Sequence, residues 1–256
     1  MERDRFDHLF DLSGRVAIVT GGTRGIGRSI AEGLALAGAD VVVASRKPDA
    51  CAETQAALEG LGGSALGVPT HLGEPDDLRA LVDTTVNRFG GVDIVVNNAA
   101  TALAMMIEDI TPEAWQKVFD VNLRGPVLLV QAALPHLRAS EHASVINVIS
   151  VGAFLFSTYT SMYASAKAGL LQYTRSMAAE LAPDGIRVNA LAPGTVDTDM
   201  VRANPPEAQE RMAQAALLRR AAHPDELVGP ALLLASDAGS FMTGQCVIVD
   251  GGLAPH

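Results

Sequence analysis

Tyr163 and Lys167 stand four residues apart in the stretch YASAK. On a helix that spacing puts both side chains on one face. A free phenol titrates near pH ~10, and an ammonium beside it favours the phenolate and lowers that value. Such a phenol can protonate a carbonyl oxygen, or take a proton from an alcohol, near neutral pH. A surface tyrosine and lysine would show the same spacing, so the pair needs company before it means chemistry. Ser150 lies 13 residues earlier, at the end of the apolar run ASVINVIS. A loop of that length can return its hydroxyl beside the phenol, to donate to a substrate oxygen as negative charge develops. Serine at a strand end is also a common turn residue, and Ser157, Ser161 and Ser165 are neighbours. Asn122, in FDVNLRG, sits inside a helical pattern. Asparagine is disfavoured there unless its polar groups are used, and an N-cap or a kink before Gly125-Pro126 would also use them.

The elements that must position these residues alternate regularly. RVAIVT reads as a strand, and GGTRGIGRSIAEGLALAGA as a turn and helix. DVVVAS, SALGVPTHL, VDIVVNNA, ASVINVIS, IRVNALAPG and GQCVIVDGG read as further strands. Helical patterns lie between them, including PDDLRALVDTTVNRFG, TPEAWQKVFDVNLRGPVLLVQAALPHLRA with a bend expected at Gly125-Pro126, and YASAKAGLLQYTRSMAAELAPDG. ERMAQAALL and DELVGPALLLAS are also helical, and Thr195 to Pro206 reads as a loop over a site. Strands spaced by helices of this length imply right-handed crossovers and a parallel sheet. Continuous apolar strands such as VAIV, VVVA and IVVN fit a sheet covered on both faces. No domain break is visible in the 256 residues. The expected fold is a single α/β domain, a doubly wound parallel sheet of about seven strands flanked by helices.

After the first strand, TGGTRGIG places glycines at 21, 25 and 27. They allow a tight turn and let a pyrophosphate approach backbone N–H groups at a helix start. The spacing is not the usual G-x-G-x-x-G. Other classes are disfavoured. The net charge of −10 and aromatic content of 4% offer nucleic acid neither a basic patch nor a stacking surface. Cys51 and Cys246 form no CxxC pair, and the six histidines have no metal-ligand spacing, so neither a disulfide framework nor a metal is expected. No G-x-S-x-G elbow occurs. The leading MERDRFDHLFDLSG lacks the apolar core of a signal peptide. No apolar run reaches the roughly 20 residues of a membrane span. A cytoplasmic protein with no membrane partner is expected.

Over nearly its full length the chain resembles the short-chain dehydrogenase/reductase family. Thr20, Gly21, Gly25 and Gly27 match its TGxxxGxG turn, and Asn97 to Ala100 (NNAA) is similar to its NNAG motif. Asn122 sits at its helix asparagine, Ser150 with Tyr163 and Lys167 at its serine and YxxxK motif, and Pro193 to Thr198 at its PGxxxT stretch. The resemblance implies a nicotinamide cofactor and a homotetramer or homodimer, with helices around 115 to 137 and 163 to 182 pairing subunits. It implies that Tyr163 is the acid/base, that Ser150 polarises the substrate oxygen, and that Asn122 holds a water in a relay reaching Lys167. Lys167 also bonds the nicotinamide ribose in that picture. Residues 10 to 100 would mainly bind cofactor, and 101 to 256 would carry catalysis, a substrate loop near 195 to 222 and subunit contacts.

Cofactor contacts follow from the same resemblance. In the glycine turn they are Gly21, Thr23, Arg24, Gly25, Ile26 and Gly27; beyond the third strand, His71 and Leu72; beyond the fourth, Asn98, Ala99 and Ala100; beyond the sixth, Pro193, Gly194, Val196 and Thr198. Three positions depart from the family pattern. His71 stands where an acidic residue near adenine is usual, Ile149 where a second serine is frequent, and Ala100 replaces a glycine. The end of the second strand speaks for NADP(H). An NAD site places a carboxylate there, whereas this chain has Ala44-Ser45-Arg46. Ser45 as donor and Arg46 as a charge-assisted fork suit a 2′-phosphate, and Arg24 can approach from the other side. Some relatives with this pattern accept NADH. Expected pocket walls run from Thr101 to Ile107, from Gly152 to Met162 and along the loop after Gly194. Their residues Leu103, Met105, Met106, Phe154, Leu155, Phe156, Tyr159 and Met162 favour a partly apolar ketone or secondary alcohol, or else simply belong to the core. Arg202, Arg211, Arg219 and Arg220 would either meet an anionic acyl carrier or be solvated charges. Candidate activities are reduction of a 3-oxoacyl thioester or a small ketone, and oxidation of a sugar or polyol with NAD(H). An epimerase, a dehydratase or a non-catalytic dinucleotide-binding protein on the same fold are the other readings.

Overall fold

The computed structural model describes Arg3, Phe6 and residues 8–254. The reading of the first residues as no leader therefore falls partly outside the described part. Seven strands form one sheet in the order β3-β2-β1-β4-β5-β6-β7. They are β1 (Val16–Thr20), β2 (Asp40–Ser45), β3 (Ala65–Pro69), β4 (Ile94–Asn97), β5 (Ser144–Val148), β6 (Arg187–Pro193) and β7 (Cys246–Val249). Every neighbouring pair is parallel. The strand order reverses between β1 and β4, which opens a crevice at the carboxyl ends where such sheets bind ligands.

The apolar strand residues sort by their period of two. Ala17, Val19, Val41 and Val43 pack into one core with Ile30, Leu34, Leu227 and Leu234. Their alternates Ile18, Val42 and Ala44 pack into a second with Leu78, Leu81, Leu129 and Leu137. The first core takes helices α1 (Gly25–Leu36) and α9 (Val228–Ala235), and the second takes α3 (Pro75–Phe89) and α5 (Gly125–Ala139). Both sheet faces are thus covered, which is why these strands carry no polar alternation. Helix α2 (Pro48–Glu59) lies against β3, and α6 (Ser161–Leu181) runs beside β6.

Two details depart from the sequence reading. The segment expected as one bent helix is α4 (Pro112–Phe119), a wider turn over Asp120–Arg124, and then α5. The break precedes Gly125-Pro126 because Gly125 N–H bonds the Asp120 carbonyl, five residues back. The expected loop from Thr195 to Pro206 contains a short helix, α7 (Asp199–Arg202), ahead of α8 (Pro206–Gln214). Among the described residues no helix is long and apolar enough to cross a membrane.

Candidate active site

The floor of the site is polar and fully satisfied. Asn97 on β4 donates to the Asn147 side chain on β5 at 2.9 Å, and Asn147 donates to Thr174 on α6 at 2.9 Å. All three are buried. This chain of bonds locks β4, β5 and α6 in register beneath the catalytic candidates, and a broken link would leave an orphan polar group. Spacing alone did not mark it, although the two strand asparagines stand at odds with otherwise apolar strands.

Helix α6 carries Tyr163 and Lys167 on one face, as their spacing requires. Lys167 is 1% exposed, and its Nζ donates to the Val148 carbonyl at 2.6 Å. That nitrogen lies 5.8 Å from the centre of the Tyr163 ring. Among the described residues no carboxylate partners the ammonium, and burial pulls its pKa down to about 7. Burial also raises the Tyr163 phenol above the ordinary range, while a hydrogen bond with Ser150 works in the opposite direction. The expectation of a lowered phenol is thus not met in the protein alone, where burial sets the direction. A lysine that sheds its own charge near neutrality cannot dominate over desolvation. Ser150 follows β5 in extended conformation, and its hydroxyl also accepts the Gly152 N–H at 3.1 Å.

Asn122 lies in the wide turn and is completely buried. Its side chain grips the Thr101 backbone twice: Nδ2 donates to the carbonyl at 2.7 Å, and Oδ1 accepts the N–H at 3.0 Å. The side chain therefore positions the loop after β4. Its backbone carbonyl faces Pro126 four residues on, which has no N–H to offer. A second staple joins the walls, since Met105 N–H donates to the Tyr159 carbonyl at 2.7 Å. Tyr159 has φ 66°, a left-handed conformation uncommon for a bulky residue. Phe154, Phe156, Met106 and Ile107 are exposed on these walls, whereas Met162 belongs to the core.

At the other end of the crevice, Gly21 and Gly25 have φ of 62° and 52°. A Cβ on Gly27 would sit 2.3 Å from Asn98 Nδ2 and 2.4 Å from the Gly21 carbonyl. Gly27 is thus demanded by the chain's own packing. Asn98 donates through Nδ2 to the Thr20 and Gly21 carbonyls at 2.9 and 3.2 Å, tying the turn after β4 to the glycine turn. Thr20 completes the tie by accepting the N–H groups of Asn98 and Ala99. Ala100 follows in that turn, half-buried, as Thr23 and Ile26 are in the glycine turn. Helix α1 begins without a side-chain cap, leaving its first N–H groups for an anion.

His71 is exposed; its N–H bonds Asp77 at 2.8 Å and its Nδ1 accepts Gly73 N–H at 3.2 Å. Leu72 packs into the core. Ser45 ends β2 half-buried, and Arg46 beyond it is exposed. Past β6, Gly194 N–H bonds the Val249 carbonyl, Val196 bridges Ala222, and the Thr198 methyl group lies against Gly25. Three of the four arginines considered for a carrier are occupied. Arg202 forks onto Asp197, Arg220 onto Glu226, and Arg219 donates to the Gln214 carbonyl.

A polar-floored crevice, an uncapped glycine turn and a half-buried tyrosine beside a buried lysine at the carboxyl ends of a doubly wound sheet define a dinucleotide-binding oxidoreductase architecture. The chain belongs to the short-chain dehydrogenase/reductase family. A family model described as enoyl-(acyl carrier protein) reductase matches residues 21–254. The human protein "Dehydrogenase/reductase SDR family member 4" is 40% identical over 244 residues, covering 94% of this chain and 88% of its own. The Pseudomonas aeruginosa "Rhamnolipids biosynthesis 3-oxoacyl-[acyl-carrier-protein] reductase" is 37% identical over 250 residues, covering 95% and 97%. A solved Pseudomonas aeruginosa structure, "RhlG/NADP active-site complex", superposes with a TM-score of 0.90 at 36% identity, covering 96% and 98%.

Proposed function

We propose that the protein is an NADP(H)-dependent reductase of partly apolar ketones, with Tyr163 as acid/base. The observation that carries this reading is the Ser150 hydroxyl placed beside the Tyr163 phenol, where it works against the effect of burial. Two O–H groups side by side can serve the two lone pairs of one carbonyl oxygen. A raised phenol pKa keeps the proton in place for donation at neutral pH. When bound, the nicotinamide supplies the hydride. Ser150 orients the substrate oxygen, Tyr163 gives it the proton, and Lys167 holds the end of β5 through the Val148 carbonyl. Asn122 fixes the loop after β4 by its side chain, and the family suggests that it serves the proton relay.

The glycine turn fits NADP(H). Gly21 and Gly25 take the positive φ of a tight turn, and the helix start behind them is uncapped. The β2 end carries Ser45, Arg46 and Lys47 in place of a carboxylate. Arg46 and Ser45 would hold the 2′-phosphate. The NADP named for the Pseudomonas structure supports this choice. The exposed apolar side chains Met106, Ile107, Phe154 and Phe156 support an apolar substrate. The occupied arginines 202 and 220 argue against docking of an acidic carrier there. Trp115 and Tyr173, exposed on α4 and α6, would lie between subunits of a dimer or tetramer.

The test is a panel of ketones and alcohols followed by cofactor absorbance with NADPH and NADH in parallel. Tyr163→Phe should lower turnover about 10²–10⁴-fold while NADPH binding, read by fluorescence, persists. Arg46→Asp should raise the KM for NADPH far more than that for NADH. Unchanged turnover in the first variant, or equal effects in the second, would refute the respective assignment.

A further inference from the structure

Arg24 occupies the glycine turn, between the β2 corner and the segment after β6. Its guanidinium reaches the segment after β6. Nη1 bonds Asp199 Oδ2 at 3.2 Å, at the start of α7. Beside it, Thr198 Cγ2 lies 3.1 Å from the position that a Cβ on Gly25 would take. The root of the β6 loop thus touches the glycine turn twice, once through a methyl group and once through an ion pair. In the strand order, β2 and β6 lie on opposite sides of β1. An arginine extended to Asp199 is therefore drawn away from Ser45 and Arg46.

We propose that Asp199 is a cofactor-specificity residue that competes with the 2′-phosphate for Arg24. This rests on the reading that Arg24 and Arg46 serve that phosphate. To fork onto the phosphate, Arg24 must leave the carboxylate. The cost of leaving falls only on NADPH, since NADH presents no phosphate to Arg24. Asp199 thereby narrows the preference for NADPH over NADH. Arg202 adds to the arrangement without replacing it. It lies 3.8 Å from the other Asp199 oxygen but is held by a two-bond fork to Asp197. It stays with the loop when Asp199 changes. The Arg24 and Asp199 side chains are 74% and 59% exposed. Their pairing is therefore worth little, and the effect is a few-fold.

The experiment measures Kd for NADPH and NADH by fluorescence titration, without substrate, on four proteins: wild type, Asp199→Asn, Arg24→Ala and the double variant. Asp199→Asn should tighten NADPH by about two- to five-fold and leave NADH within two-fold, as should Asp199→Ser. Arg24→Ala should weaken NADPH selectively. In the Arg24→Ala background, Asp199→Asn should no longer favour NADPH. Weaker NADPH binding in Asp199→Asn, or equal tightening of both cofactors, would overturn the competition. A selective gain that persists without Arg24 would overturn it as well. Failure of Arg24→Ala to discriminate between the cofactors would instead overturn the underlying phosphate assignment.

Discussion

Lys167 makes the stability of this fold depend on pH in a calculable way. In the unfolded chain the side chain titrates near the ordinary 10.5, and in the fold near 7. Between those values the unfolded chain holds a proton that the folded chain has released. Stability therefore rises with pH through this window, and below about 7 the full cost of burying the ammonium is present. Raising the pH from 7 to 8.5 should add about 1.5–2 kcal/mol from this one group. For a chain of this size that is about 3–6 °C in Tm. The perturbation that isolates it is Lys167→Met, which keeps an unbranched side chain of similar length and cannot titrate. It also removes the donor to Val148, an offset that is constant across pH. Cys51 and Cys246, whose thiols burial pushes upward, titrate alike in both proteins and cancel in the difference. Urea denaturation of both, from pH 6 to 9 and without cofactor, gives the two curves. The wild type should gain on the variant as pH rises, most steeply above 7. Parallel curves would refute the reasoning, because they would mean that Lys167 keeps its proton throughout.

Two further outcomes follow from backbone positions. Asn122→Ala leaves the Thr101 N–H and carbonyl without their side-chain partner, so it should cost about 2–3 kcal/mol and loosen residues 101–107 in hydrogen exchange; unchanged melting and exchange would contradict the clamp. Tyr159→Gly relieves a left-handed strain of roughly 1–2 kcal/mol against a glycine entropy cost of about 0.5–1 kcal/mol. Its Tm should hold or rise slightly, while Tyr159→Val should fall, and a clear loss in the glycine variant would show that the ring itself stabilises the wall.

What could be read in advance was whatever depends on period and local chemistry. VAIV, VVVA and IVVN are legible as strands because burial on both faces demands unbroken apolar runs. The pairing of Tyr163 with Lys167 follows from helical geometry, and the turn of Gly21 and Gly25 from the need for positive φ. The break at Asp120–Arg124 is not legible, because it goes with a buried Asn122 whose partner, Thr101, lies 21 residues away in the chain. Helix α7 is too short to show a period, and what braces it is a pair of arginine contacts, from Arg24 and Arg202.

The direction of the Tyr163 shift marks where residue types stop being enough. Spacing makes the two side chains neighbours but does not say whether a carboxylate or a carbonyl meets the ammonium. A carboxylate would have held the charge on the lysine. The Val148 carbonyl cannot, so burial dominates both groups and moves their pKa values apart, the lysine down and the phenol up, with the neutral forms favoured. That condition suits a proton donor in reduction: the phenol keeps its proton until a substrate oxygen takes it. The same logic separates Arg24 from Arg46. Both types suit a phosphate, yet among the described residues Arg24 is the one paired with a carboxylate that can compete for it, so its contribution should respond to Asp199.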